Sequence, residues 1–141
     1  MSKTVVNALL YDSKGQVLLQ HRDDNEYTVF PGHWGLFGGG VEEGETLEGA
    51  LDREIWEELE YPIQHKELWL IAREARADFH MFLVPIAVPL TELTLHEGQG
   101  FAYVDVDDAL ETLKVPPVTR YALQVFKLQQ AYREEAKMYK R

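Results

Sequence analysis

The sequence of 141 residues contains no cysteine, and this absence removes several classes of chemistry. Disulfide bonds, thiolate metal sites and cysteine nucleophiles are all excluded. A chain without cysteine suits a reducing compartment, so we expect a cytoplasmic protein.

Long apolar runs are also missing. The longest, at residues 81–90, is interrupted by Pro85 and is too short to cross a bilayer as a helix. The apolar stretch near the N-terminus leads into a turn at residues 12–15, which is typical of a strand and not of a signal peptide. We therefore expect no membrane partner.

Basic residues are few, because Lys and Arg number 14 against 24 Asp and Glu, and the net charge is −10. Binding to a long nucleic acid normally needs a basic surface that neutralises phosphates. A small phosphorylated substrate can still bind when metal ions supply the positive charge. The charge therefore disfavours a long nucleic acid as partner and leaves small phosphorylated molecules.

What is present is a globular composition, with 45% hydrophobic and 27% charged residues. The chain has no repeats, low-complexity tracts or linkers, so we predict a single domain over residues 1–141. Apolar runs between turn residues predict strands at 4–11, 16–22, 68–75, 79–88 and 101–106. Helices are predicted at 47–59 after the N-cap Thr46, at 109–113 after Asp107 or Asp108, and from residue 118 onward. The last of these rests on the helical spacing of Tyr121, Val125, Leu128 and Tyr132. This order of elements predicts an α/β (α+β) fold in which a mixed sheet packs between helices.

The first long helix carries acidic residues on its apolar side. Its predicted buried stripe consists of Leu47, Leu51, Ile55 and Leu59. At about 100° per residue, Glu58 projects onto this stripe, Glu54 lies at its edge and Glu57 lies further round the same side. A solvated acidic face, the ordinary interpretation of a Glu-rich helix, should lie opposite the stripe and therefore fits poorly.

A positive partner is expected at this acidic side, because like charges at this spacing repel and burial of an unpaired carboxylate is costly. Oxygen ligands without His or Cys select Mg²⁺ or Mn²⁺ over zinc. The glycines at 38–40 precede the helix and allow a close backbone approach. Metal held by carboxylates beside a glycine-rich loop is a common arrangement for binding phosphates.

These residues resemble the Nudix box. Gly39, Glu45 and residues 53–61 (Arg-Glu-Ile-Trp-Glu-Glu-Leu-Glu-Tyr) stand at the family's spacing, and the flanking Trp34, Gly38, Glu42, Gly44 and Ala50 are also similar to the family. Three positions depart from the pattern. Glu60 replaces the final glycine, Tyr61 replaces an aliphatic residue, and Phe37 stands where many members carry proline. None of these departures removes a carboxylate.

The resemblance implies a Nudix-like α/β/α sandwich around a mixed sheet. It also implies that Glu54, Glu57 and Glu58, with the carbonyl of Gly38, bind Mg²⁺ or Mn²⁺. Arg53 looks like the partner of Glu45 that holds the loop against the helix. The alternative is an ordinary surface arginine, because Arg53 is expected to project away from the acidic side.

Several further residues are candidates for catalysis or substrate binding. The general base is either Glu54 or Glu57 on the helix, or Glu97 in a later loop, as in many family members. For Glu97 the alternative is an ordinary turn glutamate beside glycines. Arg22 stands where the family often places a basic residue that contacts phosphate, with a solvent-facing arginine at a strand end as the alternative. Gly39 is expected to approach the substrate. Phe37, Phe79 and Trp34 are candidates to stack on a base, with core packing as the alternative.

The expected function is metal-dependent hydrolysis of a phosphoanhydride bond, by attack of water, in a small nucleotide. The substrate is a nucleoside di- or triphosphate, or a nucleoside diphosphate linked to another group. The alternative is a catalytically silent Nudix-fold module that senses a nucleotide. A calcium-binding helix is a third interpretation, but the loop of alternating Asp and Asn ligands is missing. Trp56 faces away from both the stripe and the acidic side, which suggests a homodimer contact.

Overall fold

The computed structural model describes residues 3–139, and a seven-stranded sheet lies at its centre. The strands are β1 (Lys3–Tyr11), β2 (Val17–His21), β3 (Trp34–Gly35), β4 (Phe37–Gly40), β5 (Glu67–Arg73), β6 (Ala77–Pro85) and β7 (Gly100–Val104). The helices are α1 (Leu47–Leu59), α2 (Val106–Thr112) and α3 (Pro117–Met138), with a short 3₁₀ turn at Leu90–Glu92. Within residues 3–139, every helix is too short or too polar to cross a membrane.

The sheet is mixed, as predicted. Strands β1 and β6 run parallel, with Val5 beside Phe79 and Asn7 beside Met81, and every other pairing is antiparallel. The order is β3-β2-β1-β6-β5, with β4 paired to β1 and β7 paired to β2. The predicted hairpin joins β1 to β2, and the Asp12 carboxylate accepts backbone hydrogen bonds within its turn. Strand β1 therefore lies at the centre, where it contacts β2, β4 and β6.

Each face of the sheet packs against helices, because side chains alternate along a strand. From β1, Val6, Ala8 and Leu10 point toward α1 and form one core with it. Leu9 points to the other face, where α2 and α3 cover the sheet. The α1 residues of the first core are Ala50, Leu51, Ile55 and Leu59, and the α3 residues of the second are Ala122, Leu123 and Phe126. The predicted α/β/α sandwich is confirmed.

Helix α1 has the predicted bounds. The Thr46 hydroxyl accepts the Gly49 N–H at 3.0 Å and caps the first turn. At the other end Glu60 adopts φ 52° and ψ 36°, and its N–H bonds to the carbonyl of Trp56. Glu60 therefore takes the left-handed conformation that glycine takes in the box, at the steric cost of its Cβ.

Other sequence-based boundaries need correction. Helix α2 begins at Val106 rather than 109, because the Asp105 side chain accepts the Asp108 N–H and caps the helix ahead of the predicted caps Asp107 and Asp108. Helix α3 is confirmed. The residues whose spacing predicted it are mostly solvent-exposed, whereas the residues that it buries are Thr119, Ala122, Leu123 and Phe126. Strands β3 and β4 were not predicted, since one has two residues and the other is mostly glycine.

We predict that Glu60→Gly is more stable than Glu60→Ala by about 1 kcal/mol. Both variants lose the glutamate side chain, so only the cost of a Cβ at φ 52° separates them. Urea unfolding of the two variants measures the difference. Equal stability would show that the turn after α1 relaxes away from the left-handed conformation.

Candidate active site

The active-site candidate lies where strand β4 crosses the carboxylates of α1, and glycine makes this approach sterically feasible. A Cβ built on Gly39 would lie 2.5 Å from the Glu54 carboxyl carbon. Gly38 has φ 149°, and a Cβ there would lie 2.0 Å from the Val6 carbonyl oxygen. Any side chain at either position would collide with its neighbours. The glycine run therefore brings the β4 backbone against the acidic side of the helix.

Glu58 is buried, with 3% of its surface exposed, as its place on the apolar stripe predicts. Its Oε1 accepts the Gly38 N–H at 3.2 Å. Burial, followed by the negative charges of Glu97 and Glu54, raises the pKa of Glu58 to about 9, although the Gly38 hydrogen bond opposes the rise. Without a nearby cation this carboxyl group is therefore protonated at neutral pH.

Arg53 lies among the carboxylates, which corrects the expectation that it projects away from them. Its Nη1 donates to Glu54 Oε1 at 2.9 Å and to Glu57 Oε2 at 3.4 Å. The backbone direction at position 53 does point away, but a long side chain can fold back along the helix surface. Glu54 is mostly buried, whereas 56% of the Glu57 side-chain surface is exposed.

The pair of Arg53 and Glu45 ties the loop after β4 to the helix, so the ordinary surface arginine is ruled out. Arg53 Nε and Nη2 donate to the two Glu45 oxygens at 2.8 and 2.9 Å, and Nη2 also donates to the Gly40 carbonyl at 3.0 Å. Glu45 accepts the Glu42 N–H at 2.8 Å. The Arg53 bond, followed by the Glu42 bond, lowers the pKa of Glu45 to about 2.

The loop that carries Glu97 is held against the end of α1. The His96 N–H donates to the Glu58 carbonyl at 2.9 Å, and Gln20 Nε2 donates to the Glu97 carbonyl at 2.8 Å. His96 Nε2 also lies 2.6 Å from a carboxylate oxygen of Glu60, the residue that replaces the box glycine. Sequence reasoning missed Gln20, although an amide inside an otherwise apolar strand was a usable signal.

The carboxylates fit a divalent cation by the chemistry of their donors. Glu54 and Glu97 lie close enough to Glu58 for their charges to raise its pKa. Of these three glutamates, Glu54 is the one that contacts Arg53. Within residues 3–139 no three acidic or imidazole side chains form a converged ligand group. A bound cation would draw these oxygens together, because it replaces their repulsion with attraction.

A cavity of about 330 Å³ opens beside this cluster, on the face of the sheet covered by α3. The site residues in its lining are Arg22, Gly38, Gly39, Gly40, Phe79 and Glu97, and Lys3, Val5, Asn7 and Leu36 line it as well. Lys3 was missed because no motif marks a lysine at the start of a strand. Arg22 Nε donates to the Val29 carbonyl at 2.7 Å, so its guanidinium is held at the rim.

Two aromatic residues proposed as substrate contacts lie elsewhere. Phe37 has 0% of its surface exposed and packs in the core under α1, so the predicted substrate contact is wrong. The alternation of strand β4 turns its side chain to the opposite face from the cavity. Trp34 stacks on His21 with ring centroids 4.6 Å apart and is absent from the cavity lining.

Comparison with known proteins gives the family. The protein-family model described as NUDIX domain matches residues 1–126 of the chain. The chain is 36% identical over 120 residues to nucleoside triphosphatase NudI of Escherichia fergusonii, an alignment that covers 75% of this chain and 84% of the relative. It is 49% identical over 57 residues to NudI of Escherichia coli O139:H28, which covers 40% and 39% of the two chains.

Solved structures share the fold at lower identity. A MutT protein from Methanosarcina mazei Go1 has a TM-score of 0.72 at 22% identity, and covers 92% of this chain and 95% of its own. The NUDIX domain of Shewanella oneidensis NrtR, complexed with ADP ribose, has a TM-score of 0.73 at 20% identity, with 94% and 88% covered. With the family model and the 36% identical relative, these findings show that the chain belongs to the Nudix hydrolases.

Proposed function

We propose that this chain hydrolyses a phosphoanhydride bond of a nucleoside triphosphate, with Mg²⁺ or Mn²⁺ as cofactor. The observation that carries the proposal is the group of glutamates on α1, with Glu58 buried, beside a cavity of about 330 Å³. The E. fergusonii relative is a nucleoside triphosphatase, which supports a triphosphate over the other nucleotide derivatives.

Metal dependence is supported by the charge of the cavity. Two basic side chains line it, Lys3 and Arg22, against the three acidic ones of Asp23, Glu74 and Glu97. A triphosphate would meet a lining that has no excess of positive charge, with further carboxylates close by. The missing countercharge has to come from a cation, and the Nudix family generally uses a divalent metal.

The residues that would hold the metal are Glu54, Glu57, Glu58 and the carbonyl of Gly38. When bound, the metal supplies charge that screens the phosphoryl oxygens and makes a water molecule more acidic. Gly38 and Gly39 contribute backbone that approaches without side-chain obstruction. Arg53 keeps Glu54 and Glu57 in place through its hydrogen bonds to both.

Glu97 is the best candidate for the general base. Glu97 lines the cavity, whereas Glu54 and Glu57 are absent from the lining and are hydrogen-bonded to Arg53. The Glu97 carboxylate would take the proton of the attacking water, and the bond between the attacked phosphorus and its bridging oxygen breaks. Arg22 and Lys3 would orient the phosphates, and Phe79 would contact the base.

The alternative of a silent nucleotide-sensing module finds less support, because every carboxylate of the box is present. A single domain over residues 1–141 and a cytoplasmic location stay predictions. A homodimer through Trp56 also stays a prediction. The residue is 52% exposed, as such a contact requires.

We predict that Glu57→Gln lowers kcat/KM for nucleoside triphosphates with Mg²⁺ by on the order of 100-fold or more, because a metal ligand loses its charge. Glu48→Gln is the matched control, since Glu48 is an exposed glutamate of the same helix. Phosphate and pyrophosphate release from a nucleotide panel measures the effect. Equal inertness of the wild type and both variants would favour the silent module.

We predict that Glu97→Gln lowers kcat by about 100-fold to 10,000-fold, the usual contribution of a general base. The glutamine keeps the shape of the loop, so the melting temperature should stay within a degree or two of the wild type. Single-turnover rates and thermal unfolding measure both quantities. If the rate is unchanged, the base is Glu54 or Glu57.

We predict that Glu45→Gln destabilises the fold at neutral pH and that the difference closes in acid. The pKa of folded Glu45 lies near 2 against an ordinary 4.5, so its stabilising effect is present above pH 4.5 and is lost as the pH falls toward 2. Urea unfolding at pH 7 and pH 3 measures it, with Glu43→Gln, an exposed residue of the same loop, as control. A pH-independent difference would contradict the charge argument.

A further inference from the structure

Asn7 is a polar residue on the floor of the cavity, in the middle of the central strand. It lies between Gly38 of β4 and Met81 of β6, and its neighbour along the same face is Val5, which lies beside Phe79. The floor around it is apolar, with Val5, Leu36 and Phe79 in the lining. A carboxamide at such a place has few neighbours with which to form hydrogen bonds.

The Asn7 carboxamide is only half satisfied. Its Nδ2 donates to the Phe37 carbonyl over 3.4 Å, a long hydrogen bond. Its Oδ1 is buried and has no hydrogen-bond partner among residues 3–139. Gln20, the other carboxamide at the cavity, donates to the Glu97 carbonyl at 2.8 Å. Asn7 therefore keeps an unused acceptor at a cost in stability.

We propose that Asn7 Oδ1 accepts a hydrogen bond from an N–H group of the substrate's nucleobase and so determines which base is preferred. This inference rests on the proposed nucleotide hydrolysis. An unprotonated phosphate has no hydrogen to donate, so the acceptor repels that part of the substrate. A planar base beside Phe79 presents N–H donors at its edge, either an exocyclic amino group or a ring N–H.

The geometry allows Asn7 to respond to a ligand. Turning Oδ1 toward the cavity requires rotation about the terminal torsion of the amide, and among residues 3–139 the one side-chain hydrogen bond that this rotation breaks is the 3.4 Å bond from Nδ2 to the Phe37 carbonyl. A substrate with a matching donor then satisfies a group that the free protein leaves unpaired. A substrate without it leaves the acceptor buried and unpaired, which is the arrangement that discriminates most strongly.

The test compares nucleotide pairs in which one member lacks a base N–H donor that the other carries. These are CTP against pyrimidin-2-one riboside triphosphate, ATP against purine riboside triphosphate, and UTP against N3-methyl-UTP. For at least one pair, wild type should favour the donor by about tenfold in kcat/KM. Asn7→Leu, of similar shape without the acceptor, should reduce that ratio to about one. Val5→Ala is the control, since it alters the same floor and should lower both members equally.

Thermal unfolding gives a second readout. Asn7→Leu should raise the melting temperature by about 2–4 °C, because it removes a buried unpaired acceptor. A fall in melting temperature with unchanged ratios would assign Asn7 a structural role and overturn the inference. A change only between ribo- and deoxyribonucleotides would assign the acceptor to the sugar and overturn it too. Failure of the wild type to hydrolyse any nucleotide would instead overturn the proposed function, and this inference with it.

Discussion

The close contact between the glycine strand β4 and the carboxylates of α1 is the constraint on which the site depends. The Glu54 carboxylate occupies space that a side chain at position 39 would need, and the Gly38 N–H donates to buried Glu58. Fixing this contact fixes the entry of the chain into α1 and the position of β4 beside β1. The fold and the acidic cluster are therefore set by the same few atoms, and a side chain on either glycine would disturb both.

This contact concentrates negative charge, and the structure offsets it only partly. Arg53 reaches Glu45, Glu54 and Glu57, but Glu58 and Glu97 lie outside its hydrogen bonds. Burial, together with the remaining repulsion from Glu97 and Glu54, raises the pKa of Glu58 to about 9. A polyphosphate would add to that repulsion. A divalent cation fits because it lowers the energy of the protein's carboxylates and of the substrate's oxygens at once.

Sequence alone could predict much of this arrangement, for identifiable reasons. Helical periodicity placed Glu58 on the buried stripe, and Thr46 marked where α1 begins, because both are local properties. The reach of Arg53 depends on side-chain torsions, and the burial of Phe37 depends on the pairing of β4 with β1, neither of which is local. Lys3, Asn7 and Gln20 belong to no motif, and only the sheet brings them beside the cavity.

The two faces of the sheet carry different parts of the site. The face under α1 carries the box glutamates, whose spacing on one helix leaves little freedom to vary. The face under α3 carries the cavity floor, where Val5, Asn7 and Phe79 come from separate positions on two strands. Residues there can change one at a time without moving a carboxylate. A fold built this way can keep one reaction while its preferred substrate changes. For this reason the Nudix box identifies the reaction, whereas the preferred nucleobase depends on residues outside the box, such as Asn7.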